Sequence, residues 1–221
     1  MKKDSCYRVS FFIQKTTNQM KYLKTISLIA IGFFALYFVI DRALPYFTKF
    51  GFEQFSDYYW PNKWWLVGHL MGGMTAILIG PFQLSKTFRN RYLKTHRLMG
   101  KVYIISIIIG SLCAMYMSFT VARQVNFPWC ISLFFLALPW LVSVLMAYRM
   151  IRLKRIQQHR EWMIRSYVIT FAFVLFRVLD ESYIMRSIMD TFEERAPTCI
   201  WLAWSIPLFF TEVILQWNKK K

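Results

Sequence analysis

Only 11 of the 221 residues are acidic, eight are glycine, four are cysteine and three are histidine. Each shortage removes a class of chemistry. The cysteines, at positions 6, 113, 130 and 199, form no Cys-x-x-Cys pair or metal-ligand spacing, so they read as buried apolar thiols. Cys130 and Cys199 both fall near the outer ends of apolar segments, where a disulfide is geometrically open but has no motif behind it. There is no glycine-rich phosphate loop and no Ser-His-Asp arrangement, which leaves phosphoryl transfer and triad hydrolysis unsupported.

What the chain has instead is apolar length. Hydrophobic residues make up 57% and aromatic residues 19% of it, as expected of a largely lipid-embedded chain. A helix needs about 20 mostly apolar residues to cross the hydrocarbon layer. Six windows qualify: Leu23–Ile40, Trp65–Leu84, Val102–Val121, Pro128–Tyr148, Trp162–Tyr183 and Thr198–Trp217. The expected fold is all-α, one bundle of six transmembrane helices over residues 23–217. A basic segment (1–22) precedes it and a basic tail (218–221) follows. The first window is too long for the core of a signal peptide, and Ile40-Asp41-Arg42-Ala43-Leu44-Pro45 carries no small-residue cleavage pattern, so it reads as an uncleaved anchor.

Charge sets the orientation. Of the 28 basic residues, 21 lie between Lys2 and Lys24, in the loop from Lys86 to Lys101, in the region from Arg149 to Arg165, and in the tail. Those regions alternate with poorly basic loops that hold most of the acids. Lys and Arg beside span ends are retained in the cytoplasm, so both termini are expected there. The net charge of +17 could suggest nucleic acid. Because these residues flank span ends, however, orientation and anionic lipid headgroups account for them.

Ionisable groups at membrane depth are costly and point to function. On the second window His69, Gly73, Ala76, Gly80 and Gln83 share one helical face, with small residues that suit close helix packing. On the fifth, Arg177 falls at a depth similar to that of His69, because the two helices run in opposite directions. Asp180 and Glu181 follow at the spacings where helical side chains meet. Two readings stand side by side: a self-neutralised ion pair that packs helices, or an outer polar site made from His69, Arg177 and Asp180 or Glu181.

A second cluster gathers at the cytoplasmic face: Gln83, His96, Arg97, His159, Arg160 and Arg165, with Glu212 at a depth to neutralise Arg165. His96 and His159 at one level suit axial ligation of a haem iron, with Arg97 and Arg165 on the propionates. The plainer alternative is a pair of hydrated interfacial histidines. A three-histidine zinc site is excluded, since His69 is at the opposite face and zinc bonds are about 2.0 Å long.

Two further patterns concern organisation. His96-Arg97-Leu98-Met99-Gly100-Lys101-Val102-Tyr103 and His159-Arg160-Glu161-Trp162-Met163-Ile164-Arg165-Ser166-Tyr167 share five positions with one insertion. Each is followed by a helix containing proline, Pro139 or Pro207, so two parallel helix pairs compete with coincidence. The connection from Asp41 to Lys63 is crowded with aromatics, which suits an interfacial belt, a short surface helix, or a lid over an outer pocket.

His69, Gly80-Pro81-Phe82-Gln83, His96-Arg97-x-x-Gly100-Lys101-x-Tyr103 and His159-x-x-Trp162-Met163-x-Arg165-Ser166-Tyr167, followed by Thr170 and Arg177, together resemble a bacterial membrane-protein family, domain of unknown function 2306. The resemblance covers roughly Trp65 to Asp180. Lys101 stands where the family pattern looks like arginine. The resemblance implies that His69, Gln83, His96, Arg97, His159, Arg165 and Arg177 are signature positions. It implies no particular activity.

The functional expectation is a haem- or quinone-binding electron-transfer protein. Its inner site would take haem b through His96 and His159, or a quinone between one of them and Gln83. Its outer site would be built on His69 and Arg177. A small-solute or proton-coupled transporter is the alternative, although no strongly broken helix is expected at mid-membrane. A non-catalytic assembly subunit is the third.

Overall fold

The computed structural model describes residues 22, 26 and 32–217, apart from the side chains of Ser56 and Tyr58. Residues 1–21 of the expected basic N-terminal segment, including Cys6, eight of the 18 residues of the first apolar window, and the lysine tail lie outside the described residues. The described chain is all helix, with no strand.

The chain enters as α1 (residues 32–43), which ends in a π-helical turn, Val39–Ala43. Two short helices follow, α2 (Pro45–Thr48) and α3 (Phe52–Tyr59). Then come α4 (Lys63–Leu84), the small α5 (Lys86–Arg91), α6 (Leu93–Val125), α7 (Phe127–Arg152), α8 (Ile156–Glu181), the short α9 (Tyr183–Ile188) and α10 (Phe192–Trp217). Five of these are long and apolar enough to cross a membrane: α4 with the tight turn before it, α6, α7, α8 and α10. Four of the five extend at least four residues beyond their apolar windows. The windows measure hydrocarbon, whereas Lys, Arg, Glu and Gln are good helix formers that continue the helix into the headgroup layer.

Local chemistry fixes the turns between spans. Asn126 caps α7, its side-chain oxygen accepting from the Trp129 N–H at 2.7 Å, with Pro128 in the first turn. Ser85 and Ser182 cap α5 and α9 in the same way. Between α7 and α8 the chain reverses at Lys154, whose φ of 59° places a non-glycine residue in the left-handed region.

Packing is closest between α4 and α6. A Cβ on Gly72 would lie 2.4 Å from the Ser106 carbonyl oxygen and 2.9 Å from Gly110 Cα, so both helices need glycine at this crossing. About two turns further on, Gly80 makes room for the Tyr167 ring of α8. Gly73, one residue from Gly72, faces open space. The small-residue stripe is therefore divided: Gly80 packs a helix and Gly73 does not.

Buried hydroxyls in the core are satisfied within their own helices, as with Ser111 to Ile107 O (2.7 Å) and Ser143 to Trp140 O (2.9 Å), which leaves them small and dry enough to pack. One chain of bonds crosses helices. Trp140 Nε1 donates to Thr170 Oγ1 at 2.8 Å, and that hydroxyl donates to the Ser166 carbonyl. The Ser166 hydroxyl in turn meets the Tyr103 phenol at 3.1 Å. This line ties α6, α7 and α8 together beside an opening in the bundle.

Candidate functional site

That opening is a cavity of about 200 Å³ in the half of the bundle that holds the N-terminal end of α4 and the C-terminal end of α8. Its walls are mostly apolar, including Leu66, Met74, Leu136 and Phe176. His69, Arg177, Arg42, Tyr46, Tyr59 and Thr170 bring the polar atoms.

His69 is buried, and its position is strongly determined. Nδ1 lies 3.0 Å from the Gly110 carbonyl oxygen. A carbonyl only accepts, so Nδ1 carries the hydrogen and Nε2 is the nitrogen left for a molecule in the cavity. The edges of Trp140 and Phe173 hold the imidazole plane, at ring-centre distances of 6.1 and 5.2 Å. Trp140 is itself fixed by Thr170, so the imidazole rests on a hydrogen-bonded support.

Arg177 lines the same cavity, over the Phe176 ring. The two acids that follow it are not its partners. Asp180, buried, receives a 2.7 Å bond from Arg195 Nε on α10, and Arg195 also donates to the Met189 and Asp190 carbonyls. Glu181 pairs at 2.7 Å with Arg42, which also holds Asp41. The expected ion pair within one helix is thus replaced by two pairs between elements. An outer site of His69, Arg177, Asp180 and Glu181 reduces to His69 and Arg177 on the cavity wall, with the carboxylates engaged elsewhere. The Arg177 guanidinium has no carboxylate partner among the described residues.

Tyr46 and Tyr59 close the cavity from the short helices. Phe55 of α3 is fully buried against Tyr46, Phe50 and Trp60, which anchors this aromatic cover. Burial, and then the neighbouring Tyr46, push the Tyr59 phenol up against the opposing pull of Arg177. Tyr59 therefore stays a protonated donor at neutral pH.

Irregular backbone gathers around this cavity in a way the sequence did not announce. The π turn Val39–Ala43 supplies Val39, Arg42 and Ala43, and a second π turn, Ser118–Ala122 in α6, supplies Ser118, Val121 and Ala122. Pro139 interrupts α7 between the wall residues Ala137 and Trp140. In α8 the helix tightens at Phe171, whose N–H is shared between the Tyr167 and Val168 carbonyls, between the wall residues Thr170 and Phe173. The turn is tightened, not unwound. Single π turns concentrate at functional sites.

The inner cluster is differently built. His159 Nδ1 bonds the Ala147 carbonyl at 2.8 Å. Arg165 makes a two-pronged pair with Glu212, one arm at 2.9 Å, and stacks over Trp162. His96 lies within electrostatic reach of His159, Arg89 and Arg97. The cavity reaches none of Gln83, His96, Arg97, His159 and Arg165. Among the described residues no group of three or more His, Cys, Asp or Glu could hold a metal ion. Cys113, Cys130 and Cys199 are buried free thiols, so Cys130 and Cys199 are not paired.

Long apolar helices with lipid-facing aromatic and aliphatic side chains, packed through glycine and serine around a buried histidine, define a polytopic helical membrane protein. The chain belongs to the family described as "Predicted membrane protein (DUF2306)", whose model matches residues 66–215. The match runs past the sequence signature to the end of α10. No curated protein and no solved structure matches the chain.

Proposed function

We propose that the protein is a bacterial cytoplasmic-membrane protein that binds a quinone-class molecule in its outer cavity. In this reading it has six spans and both termini are inside. The observation that carries the proposal is the convergence of His69 Nε2, Arg177 and two tyrosines on one apolar-walled cavity. A quinone head is a single flat ring with carbonyl oxygens at its edge, and it needs apolar walls with a few fixed donors. Drug-sized ligands occupy pockets of roughly 300–1,000 Å³, so a cavity of about 200 Å³ suits one ring and not a porphyrin. When bound, a quinone supplies two-electron, two-proton chemistry. The chain's own groups would orient its carbonyls through Arg177 and Tyr59 and exchange a proton at His69 Nε2. The electron partner would be a second protein or cofactor.

The inner haem reading has one specific support: His159 is anchored through Nδ1 to a backbone carbonyl, the usual arrangement behind a metal-bound imidazole. Against it, Arg165 is occupied by Glu212 and is not free for a propionate. The quinone reading is tested by titrating the detergent-purified protein with a short-chain ubiquinone and a short-chain menaquinone while following tryptophan fluorescence. Trp129 and Trp140 lie on the cavity wall. Saturable quenching that is lost in His69→Leu supports the reading. Linear quenching, equal in that variant, contradicts it.

A further inference from the structure

At the opposite end of the bundle two buried polar atoms, Gln83 Nε2 and His96 Nδ1, have no partner among the described residues. An unmatched buried polar group is costly, so two at one end of the bundle call for an explanation. They belong together. The Gln83 side-chain oxygen sits 3.0 Å from where a Cβ of Gly100 would be, and His96 precedes Gly100 by one turn on the same face of α6. The Gln83 amide is therefore laid across a bare stretch of α6 one turn from His96.

The chemistry of what is missing can be read from the donors. Gln83 Nε2 donates and cannot accept, so its absent partner carries an acceptor oxygen. The surroundings are cationic: Arg89 and Arg97 both act electrostatically on His96. The carboxylates of this end have other partners, Glu212 with Arg165 and Glu161 with Gln157. Among the described residues no ion pair joins Arg89 or Arg97 to an acid. His96 lies in the first turns of α6, beside basic residues that suit headgroup depth.

We propose that the niche between Gln83 and His96 binds a phosphoryl anion, with Gln83 Nε2 and the His96 ring as direct donors and Arg89 and Arg97 supplying charge. The group is either the phosphate of an anionic phospholipid or free phosphate. This site is separate from the cavity and does not depend on the quinone reading.

The test uses full-length protein in detergent, with two probes: inorganic phosphate against equal ionic strength of chloride, and dioleoylphosphatidylglycerol against dioleoylphosphatidylcholine. The thermal midpoint is the readout, and native mass spectrometry counts retained phospholipid. One probe raises the midpoint by several degrees in the wild type, with at least half of that rise lost in Gln83→Leu and His96→Phe. The rise is kept in Lys94→Ala, which removes an exposed charge nearby. A response to phosphatidylglycerol alone, with one lipid retained, identifies a lipid site; a response to phosphate alone identifies a soluble anion. The proposal is overturned if neither probe acts, since water then fills the niche. It is equally overturned if Lys94→Ala weakens the response as much as Gln83→Leu, or if a Soret band vanishes in His96→Phe. Should the niche variants not fold, nitrogen-15 spectra of labelled histidine in the wild type decide. One ring responds to the effective probe and not to its control if the site exists, and none does if it does not.

Discussion

The two ends of this bundle solve the same problem in opposite ways. At the cavity end the carboxylates Asp180 and Glu181 are locked to arginines of other elements, Arg195 and Arg42, Arg177 is left on the cavity wall, and His69 is held by a backbone carbonyl. What remains open is space. At the basic end the helices close tightly, with Gln83 against Gly100 and Gly80 against Tyr167, and what remains open is hydrogen-bonding capacity. The first arrangement suits an apolar molecule with a few polar atoms. The second suits a small anion.

The two buried arginine pairs provide the largest test of this contrast. Asp180 and Arg195 are both under a tenth exposed, whereas Glu212 beside Arg165 is 39% exposed. Removing one partner of a fully buried pair costs about 3–5 kcal/mol. Asp180→Ala should therefore lose that much in reversible unfolding in detergent, and Glu212→Ala clearly less, because water can reach the pair. Equal losses would mean that the two ends are equally buried. The adjacent glycines come next. Gly72→Ala drives a methyl group into backbone atoms of α6, and overpacking of that kind costs about 1–3 kcal/mol. Gly73→Ala enters the cavity and should leave stability unchanged while weakening quinone binding. A stable Gly72→Ala would show that α4 and α6 are less closely crossed than described.

The remaining effects are smaller. Glu181→Ala breaks a half-exposed pair with Arg42 and should cost no more than about 1 kcal/mol by the same unfolding measurement, against the several lost at Asp180 one residue earlier. Lys154→Gly relieves the left-handed backbone between α7 and α8 and should raise the thermal midpoint slightly, by a gain of up to about 1 kcal/mol. A loss there would mean that the Lys154 side chain makes a contact that outweighs the strain.

How much of this was legible follows from which signals act through a helix's own periodicity. The long helices, their apolar length and the shared depth of His69 and Arg177 depend on position along each helix, and the sequence carries position. Side-chain partners depend on how neighbouring helices are rotated, which it does not carry. Asp180 looked paired to Arg177 by spacing, yet it is turned toward Arg195. Arg195 lies outside the last apolar window, yet α10 begins at Phe192, six residues before that window, and so carries Arg195 to Asp180. Gly73 shared a face with His69, but the helix crossing is made by Gly72. The π turns at Val39–Ala43 and Ser118–Ala122 contain no proline or glycine and have no local signature at all.

The central claim is that the outer cavity, through His69 and Arg177, receives a quinone-class ring. Its most direct test is a binding isotherm for a short-chain quinone on the purified protein, read by tryptophan quenching in the wild type, in His69→Leu and in Arg177→Ala, with His159→Phe as the variant at the far end. Saturable binding that weakens at least tenfold in the two cavity variants and is unchanged in His159→Phe is the expected result. Binding that is indifferent to His69 and Arg177, or that is lost only with His159, would contradict it.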